Sequence, residues 1–518
     1  MNSTKGNETP AADGSASRII LKKEPRLDAK RQAFSYQVEA FEAVRDRTYA
    51  AIFHEQGLGK TKIAIDLMLY WLGTKAVDTV LLVVKKGLLV NWKRELEFHS
   101  YLKPRVLTQS HQANFFVFNS PARVVLTHYE AVKGEKRRMQ LFLKARSVGT
   151  ILDESTKIKN PDADLTHAFF DLATLFKRRV IMTGTPVANR PEDIWAQVWF
   201  LDQGASLGND FASFQRDVAL TNDLAHDEGA QQAYEAALER TFAKIAPFSV
   251  RENKSSGIIS LPEKVIRSIT TDWEPHQWEL YCQVRDQMRA IVIREGVPTE
   301  DQAEAILKRL LRLVQIASNP ALVDSGYKCE PGKMHPLKDL IGHIHDHGEK
   351  AIVWTGFTEN ADWLCAELKG YGACRVHGKL SMDARIRAID RFMTDDVTEV
   401  LVATPGAAKE GLTLTVANHV VFYDRSFSLD DYLQAQDRIH RISQTKTCHV
   451  YNLIMRDSID EWIDVLIHAK HMSAQLAQGD ISLDCYQSQM TYHFGDILRQ
   501  VLGIEKNKGA DEWPELNG

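Results

Sequence analysis

Gly57-Leu58-Gly59-Lys60-Thr61 gathers two glycines, a lysine and a hydroxyl, the residue types that hold a polyphosphate. The glycines permit a tight bend that turns backbone N–H groups toward one point. Lys60 brings positive charge for the β- and γ-phosphates, and Thr61 a hydroxyl for Mg²⁺. The stretch departs from G-x-x-x-x-G-K-[ST] at its first position, where His54 stands. Further along, an apolar run from Gly149 delivers Asp153 and Glu154 side by side. Asp153 suits Mg²⁺, directly or through water, and Glu154 suits polarising the attacking water. Much later come Gln434, Arg438 and Arg441. The two arginines are three apart, predicted to share one helical face and to reach across to a γ-phosphate. Gln37, just upstream of the loop, carries an amide donor and acceptor that suit the edge of adenine.

These groups need a scaffold, and the sequence supplies alternating strands and helices. Tyr49 to Phe53 is an apolar run before the loop, and Lys62 to Leu69 has helical periodicity. Thr79 to Val84, Arg123 to Leu126 and Arg179 to Met182 are apolar on nearly every residue, as buried parallel strands are. The pattern repeats at Lys350–Trp354, Cys374–Val376, Glu399–Ala403 and His419–Tyr423. Polar residues at the carboxyl ends of such strands lie where open α/β sheets bind ligands. Lys86, Thr127, His377 and Thr404 hold such positions and are the expected phosphodiester contacts. The fold class is therefore α/β, two parallel-sheet lobes with helical insertions and a cleft between them.

The expected division gives residues 1–17 as a disordered tail and 18–250 as the first lobe, with a helical insertion over about 200–248. Residues 251–475 form the second lobe, with a helical protrusion over about 272–330, and 476–518 a C-terminal extension. Arg251 to Pro262, carrying Lys254-Ser255-Ser256-Gly257, reads as the interlobe linker. Ser458-Ile459-Asp460-Glu461 is a capping box that opens a late helix.

Across 518 residues the net charge is −4, so any nucleic-acid surface is a local groove rather than a global basic field. No apolar run approaches the 18 or so residues of a membrane span. Six cysteines are widely spaced without a C-x-x-C pair, which fits a reducing cytoplasm and argues against zinc. The run His343-Ile344-His345-Asp346-His347 reads as a helix C-terminal turn rather than a metal site.

In their order along the chain, these blocks resemble the motifs of the helicase-like ATPases of superfamily 2, and within it the Swi/Snf family of double-stranded DNA translocases. Tyr36-Gln37 is similar to the adenine motif, Glu55 to Thr61 to motif I, and Asn91-Trp92 with Glu95 to motif Ia. Asp153-Glu154 resembles the DExx box and Thr183-Gly184-Thr185-Pro186 motif III. Gly411-Leu412-Thr413-Leu414 resembles motif V, and Gln434, Arg438 and Arg441 motif VI. The resemblance implies two RecA-like lobes, ATP bound by Gln37, Gly57, Leu58, Gly59, Lys60, Thr61 and Gly411, and Mg²⁺ held by Thr61 and Asp153. It implies ATP hydrolysis driving movement on double-stranded DNA, in repair, recombination or replication, with branched or single-strand-containing DNA as further substrates. Gly411 to Thr413 and Arg190-Pro191 look most like the annealing-helicase branch, and the compact chain looks like a bacterial or phage motor, active in the cytoplasm beside the nucleoid. The chain departs from the family pattern at three places. Ser155-Thr156 follow the acidic pair, Lys85 stands at a common proline, and Ser443 at a usual glycine. Two other readings are a conventional single-strand DNA or RNA helicase and a DNA-binding scaffold on an inactive ATPase fold.

Overall fold

The structure, a computed structural model, describes residues 24–187, 190–218, 228–257, 261–295, 300–408, 413–478, 480–481 and 485. The expected N-terminal tail, most of the C-terminal extension, and Gly411 with Leu412 lie outside the described residues.

The first sheet holds β1 (Tyr49–Ile52), β2 (Thr79–Val84), β3 (Arg105–Val106), β4 (Val124–His128), β5 (Val148–Asp153), β6 (Arg178–Met182) and β7 (Ser249–Val250). Their order across the sheet is β3-β4-β2-β5-β6-β1-β7, with parallel pairings throughout. β2 is buried along its whole length, which explains its unbroken apolar run: helices cover both faces of a parallel sheet. One core layer includes Leu81, Val83, Leu152 and Phe169, and the opposite one Leu82, Val84, Trp71 and Ile151. Truncating one such leucine to alanine typically costs about 2–5 kcal/mol.

The second sheet holds β8 (Lys264–Thr271), β9 (Ala351–Trp354), β10 (Ala373–Val376), β11 (Val400–Ala403), β12 (His419–Phe422) and β13 (Cys448–Met455). Its order is β10-β11-β9-β12-β13-β8, again parallel. The first lobe closes at β7, so the connector runs over 251–263 before β8 begins. Helices Ile194–Asp202, Phe211–Val218 and Glu228–Ile245 occupy the first expected insertion. Helices Pro275–Glu295 and Glu300–Ser318 occupy the second. This second pair packs on the helix Ile459–Ala477 through Tyr281, Leu313, Trp462 and Ile463. The Tyr281 hydroxyl accepts from the Ile459 amide at 2.8 Å, and the Ser458 side chain caps the same helix start.

The register explains how the site assembles. Met182 on β6 is level with Ile52 on β1 on one side and with Asp153 on β5 on the other. The phosphate loop, the Thr183–Pro186 turn and the acidic pair therefore leave the sheet from one row, at adjacent carboxyl ends.

Candidate functional site

The phosphate loop takes the conformation that its glycines allow. Gly57 and Gly59 have φ of 87° and 70°, the left-handed region that other residues enter at a cost. The helix Lys60–Gly73 starts directly behind Gly59, so its free N–H groups point out of the loop. Tyr36 and Gln37 brace the loop from below. The Tyr36 hydroxyl donates to the Leu58 carbonyl at 3.0 Å, and Gln37 Nε2 to the Tyr36 hydroxyl at 3.2 Å. Gln37 Oε1 accepts from the Phe34 amide at 3.0 Å, capping its own helix, Ser35–Val44. The amide read as an adenine contact is thus also a brace. A Cβ added at Gly59 would lie 2.3 Å from Gln37 Nε2, so the close approach needs glycine.

Lys60 is buried, and its ammonium donates to the His54 and Glu55 carbonyls at 2.8 and 3.3 Å. Burial lowers its pKa, and the charges of Glu154 and Asp153 oppose that shift. Thr61 follows it at the helix start, half-buried.

The acidic pair is anchored from three sides. Asp153 Oδ2 accepts from Trp92 Nε1 at 2.7 Å, and its carbonyl from the Tyr129 hydroxyl at 2.9 Å. Burial, then the charge of Glu154, lifts the Asp153 carboxyl to about 6. Glu154 has a left-handed backbone, φ 56°, and its Oε1 accepts from Gln56 Nε2 at 3.0 Å. Burial opposes its ionisation, but Lys85, Lys60, Gln56 and Arg438 outweigh it and hold the carboxyl below its ordinary range. Two adjacent buried carboxylates beside a hydroxyl fit a divalent cation, with Thr61 and Asp153 to hold it. Ser155, the departure from the family pattern, donates to Gln197 Oε1 at 2.7 Å, and Gln197 Nε2 in turn donates to the Pro186 carbonyl at 3.1 Å. That chain links the acidic pair to the Thr183–Pro186 turn.

The second lobe meets this surface directly. Gly57 faces Arg441: a Cβ there would lie 3.3 Å from Arg441 Cγ and from the His440 carbonyl. Arg438 is buried, and Arg441 is half-buried beside it. Burial, then the neighbouring Arg441, pulls the Arg438 guanidinium down to about 9. Arg441 donates to the Asp437 carbonyl and to Thr413 Oγ1 at 2.9 and 2.8 Å. The expectation of one helical face is corrected here. The helix Leu429–Gln436 ends before either arginine, and the Arg438 carbonyl accepts from the Leu414 amide at 3.0 Å instead of continuing the helix. A turn, not a helix, brings the two guanidinium groups to the cleft. Gln434, read as catalytic, is buried, and its Nε2 donates to Asp430 Oδ1 at 2.6 Å.

Several cleft residues carried no signal of their own in the sequence. Asp430 Oδ1 also accepts from Thr185 Oγ1 of the first lobe at 2.9 Å. Lys254 of the connector lies between the lobes, 2.7 Å from Asp437 and 3.6 Å from Glu55. Lys85 lies 3.7 Å from Glu154 Oε2. Gln56, Trp92 and Tyr129 act as anchors for the acidic pair; Gln56 and Trp92 lie within recognised motifs, and Tyr129 does not.

The expected phosphodiester contacts divide. Lys86 is exposed. Thr404 lines a cavity of about 300 Å³ at the carboxyl edge of the second sheet, with Gly378, Arg385 and Arg425. Thr127 is fully buried on β4, and His377 is buried with Nε2 against Asp362 at 2.9 Å, so neither is presented to an outside ligand. Gly411 lies outside the described residues. His345 pairs with Glu399 at the helix end, and among the described residues no group of three or more His, Cys, Asp or Glu side chains is gathered to hold a metal ion.

Residues 39–322, more than half of the chain, match the SNF2-related domain. The chain belongs to the SNF2-related family. Residues 332–443 match the helicase conserved C-terminal domain, so the first match runs from the first lobe through the connector and the helical pair, and the second lies within the second lobe. The chain is similar to the ISWI chromatin-remodeling complex ATPase ISW2 of Saccharomyces cerevisiae, 24% identical over 86% of this chain and 40% of that protein. It is similar to an ATP-dependent helicase of Mycoplasma pneumoniae, 26% identical over 82% of this chain and 40% of that one. The chromodomain-helicase-DNA-binding protein 1-like of Danio rerio is 27% identical over 88% of this chain and 45% of that one. The chain thus spans less than half the length of these SNF2-related relatives. The Sulfolobus solfataricus SWI2/SNF2 ATPase core in complex with dsDNA matches with a TM-score of 0.40 at 25% identity, over 93% of this chain and 99% of that one.

Proposed function

We propose that this SNF2-related chain is an ATP-driven motor that moves along double-stranded DNA. One observation carries the ATPase half of the reading: Arg441 of the second lobe lies against Gly57 in the phosphate loop of the first, with Arg438 buried close by and within the field of Glu154. Guanidinium groups at the edge of a loop that carries a lysine and free helix N–H groups match a polyphosphate held between lobes. In this reading Lys60 and the loop N–H groups cradle the β- and γ-phosphates. Glu154 takes the proton of the attacking water, and Arg438 and Arg441 stabilise the charge that develops on the transferred phosphoryl group. Mg²⁺, held by Thr61 and Asp153, would supply further charge neutralisation on the phosphates. Because the two halves of the site sit on different lobes, turnover requires closure, and repeated closure supplies a step.

Relatives named for chromatin remodelling and for DNA binding support duplex DNA as the track. The helical pair at 275–318, packed on the second lobe, supports a family motor over a conventional strand-separating helicase. Lys86 and Thr404 are the proposed backbone contacts on the two lobes.

The experiment for the ATPase half is steady-state hydrolysis by Lys60→Ala and Arg438→Ala, beside binding of a fluorescent ATP analogue. Lys60→Ala is expected to abolish turnover. Arg438→Ala is expected to lower kcat by about 10³ while the analogue still binds. Turnover surviving in Lys60→Ala would refute the phosphate-loop assignment.

A further inference from the structure

The hydrolysis scheme above makes no use of Lys85, which follows the last residue of β2. Its side chain is 19% exposed and reaches inward, with Nζ 3.7 Å from Glu154 Oε2. The opposite oxygen of that carboxylate, Oε1, is held by Gln56 at 3.0 Å. Oε2 itself has no hydrogen-bond partner among the described residues, although it is buried. Glu154 is therefore fixed at one oxygen, and its other oxygen, free to take a proton, faces the Lys85 ammonium.

Lys85 also faces the second lobe. Asp430 acts on its charge, as do Glu154 and Asp153, and together they keep Lys85 charged against burial and against Arg438. Asp430 is itself fixed by Gln434 of its own lobe at 2.6 Å and by Thr185 of the first lobe at 2.9 Å. Without a cation between them, the carboxylates of the two lobes would face one another in a low-dielectric cleft, where like charges repel strongly.

We infer that Lys85 is a positioning residue for ATP hydrolysis: paired with Glu154 of the first lobe and held within the field of Asp430 of the second, its ammonium ties the working placement of the Glu154 carboxylate to closure of the lobes. This rests on the ATPase reading. A neutral side chain of similar length leaves the phosphate loop and its lysine in place but removes the bridge, so ATP binds normally and the chemical step slows. The guanidinium of arginine restores charge at the same position. Asp430→Asn removes the other end of the same bridge, so the two losses do not add.

The test measures ATP turnover by the full chain at saturating duplex DNA for the native protein, Lys85→Met, Lys85→Arg, Asp430→Asn and the Lys85→Met/Asp430→Asn pair. Thermal melting and fluorescent ATP-analogue binding serve as controls. Lys85→Met is expected to lower kcat by about tenfold or more with KM for ATP within about twofold. Lys85→Arg should recover most of the rate, and Asp430→Asn placed on Lys85→Met should cost less than about twofold more. A Lys85→Met enzyme at the native rate, a loss confined to KM, or fully additive losses would overturn the inference and leave the ATPase reading standing. If Lys85→Met melts early, the Asp430→Asn rate is read instead: a kcat lowered with KM unchanged supports the inference, and a native rate overturns it. A native chain that hydrolyses no ATP with any nucleic acid overturns the ATPase reading and this inference with it.

Discussion

His54 occupies the position where the general phosphate-loop pattern has glycine, and its ring is buried beside Lys60. Burial first, then the Lys60 charge, lowers the imidazole from 6.5 to about 4. Between those values the unfolded chain binds the proton and the folded chain does not. Stability is therefore full above about pH 6.5 and falls as the pH drops toward 4, by up to about 3 kcal/mol. Asp153, lifted to about 6, titrates in the opposite sense over the same range. The loss is therefore read as the difference in stability, from urea midpoints, between the native chain and His54→Gln from pH 7.5 down to 4.5, which should change by that amount. A difference that does not change with pH would mean that the imidazole is not the group responsible. His54 also stays neutral at physiological pH, so it adds no charge to a site already rich in cations, and its carbonyl serves to hold Lys60.

Turns and strand ends decide whether such residues meet. At Gly57, a Cβ would have to enter a left-handed backbone and lie 3.3 Å from Arg441 Cγ and the His440 carbonyl. Gly57→Ala is predicted to hold the lobes apart locally and to lower kcat by at least about tenfold, while the melting temperature shifts by only a few degrees, since left-handed strain costs about 1–2 kcal/mol. Native turnover in Gly57→Ala would contradict the closed contact. The strands and the loop were legible in the sequence because a strand buried on both faces has to be apolar along its length, as Thr79–Val84 is. The glycines and acidic pair follow those strands directly. The arginines were legible as a pair but not in their geometry, since three-residue spacing suggests a helix and only the Arg438 carbonyl contact with Leu414 reveals the turn. Gln56, Lys85, Lys254 and Asp430 were not legible as partners. Each is a single polar residue whose meaning lies in a contact with chain far away in sequence, and no local periodicity encodes that. Thr127 was misread for a related reason: a hydroxyl near a strand end looks accessible, and only the fold shows it buried on β4.

Among the described residues, polar bridges join the lobes at the cleft. Lys254 reaches both Glu55 and Asp437, each pair largely sheltered from water, and Thr185 donates to Asp430. Arg251 bonds the Phe53 carbonyl at 3.1 Å and Asp480 Oδ1 at 3.1 Å, tying the loop strand to chain beyond the last helix. Lys254→Met leaves Asp437 as a buried charge without its nearest cation, a loss typically of about 3–5 kcal/mol. Small-angle scattering should show a larger radius of gyration for that variant than for the native chain, and an identical one would mean that Lys254 does not hold the lobes together. In the proposed motor, duplex DNA drives closure of these lobes on ATP. The most direct test is steady-state ATP hydrolysis by the native chain without nucleic acid and with duplex DNA, single-stranded DNA or RNA, with Glu154→Gln in parallel. The account predicts strong stimulation by duplex DNA that vanishes in Glu154→Gln; stimulation by single strands or RNA alone, or no hydrolysis under any condition, would contradict it.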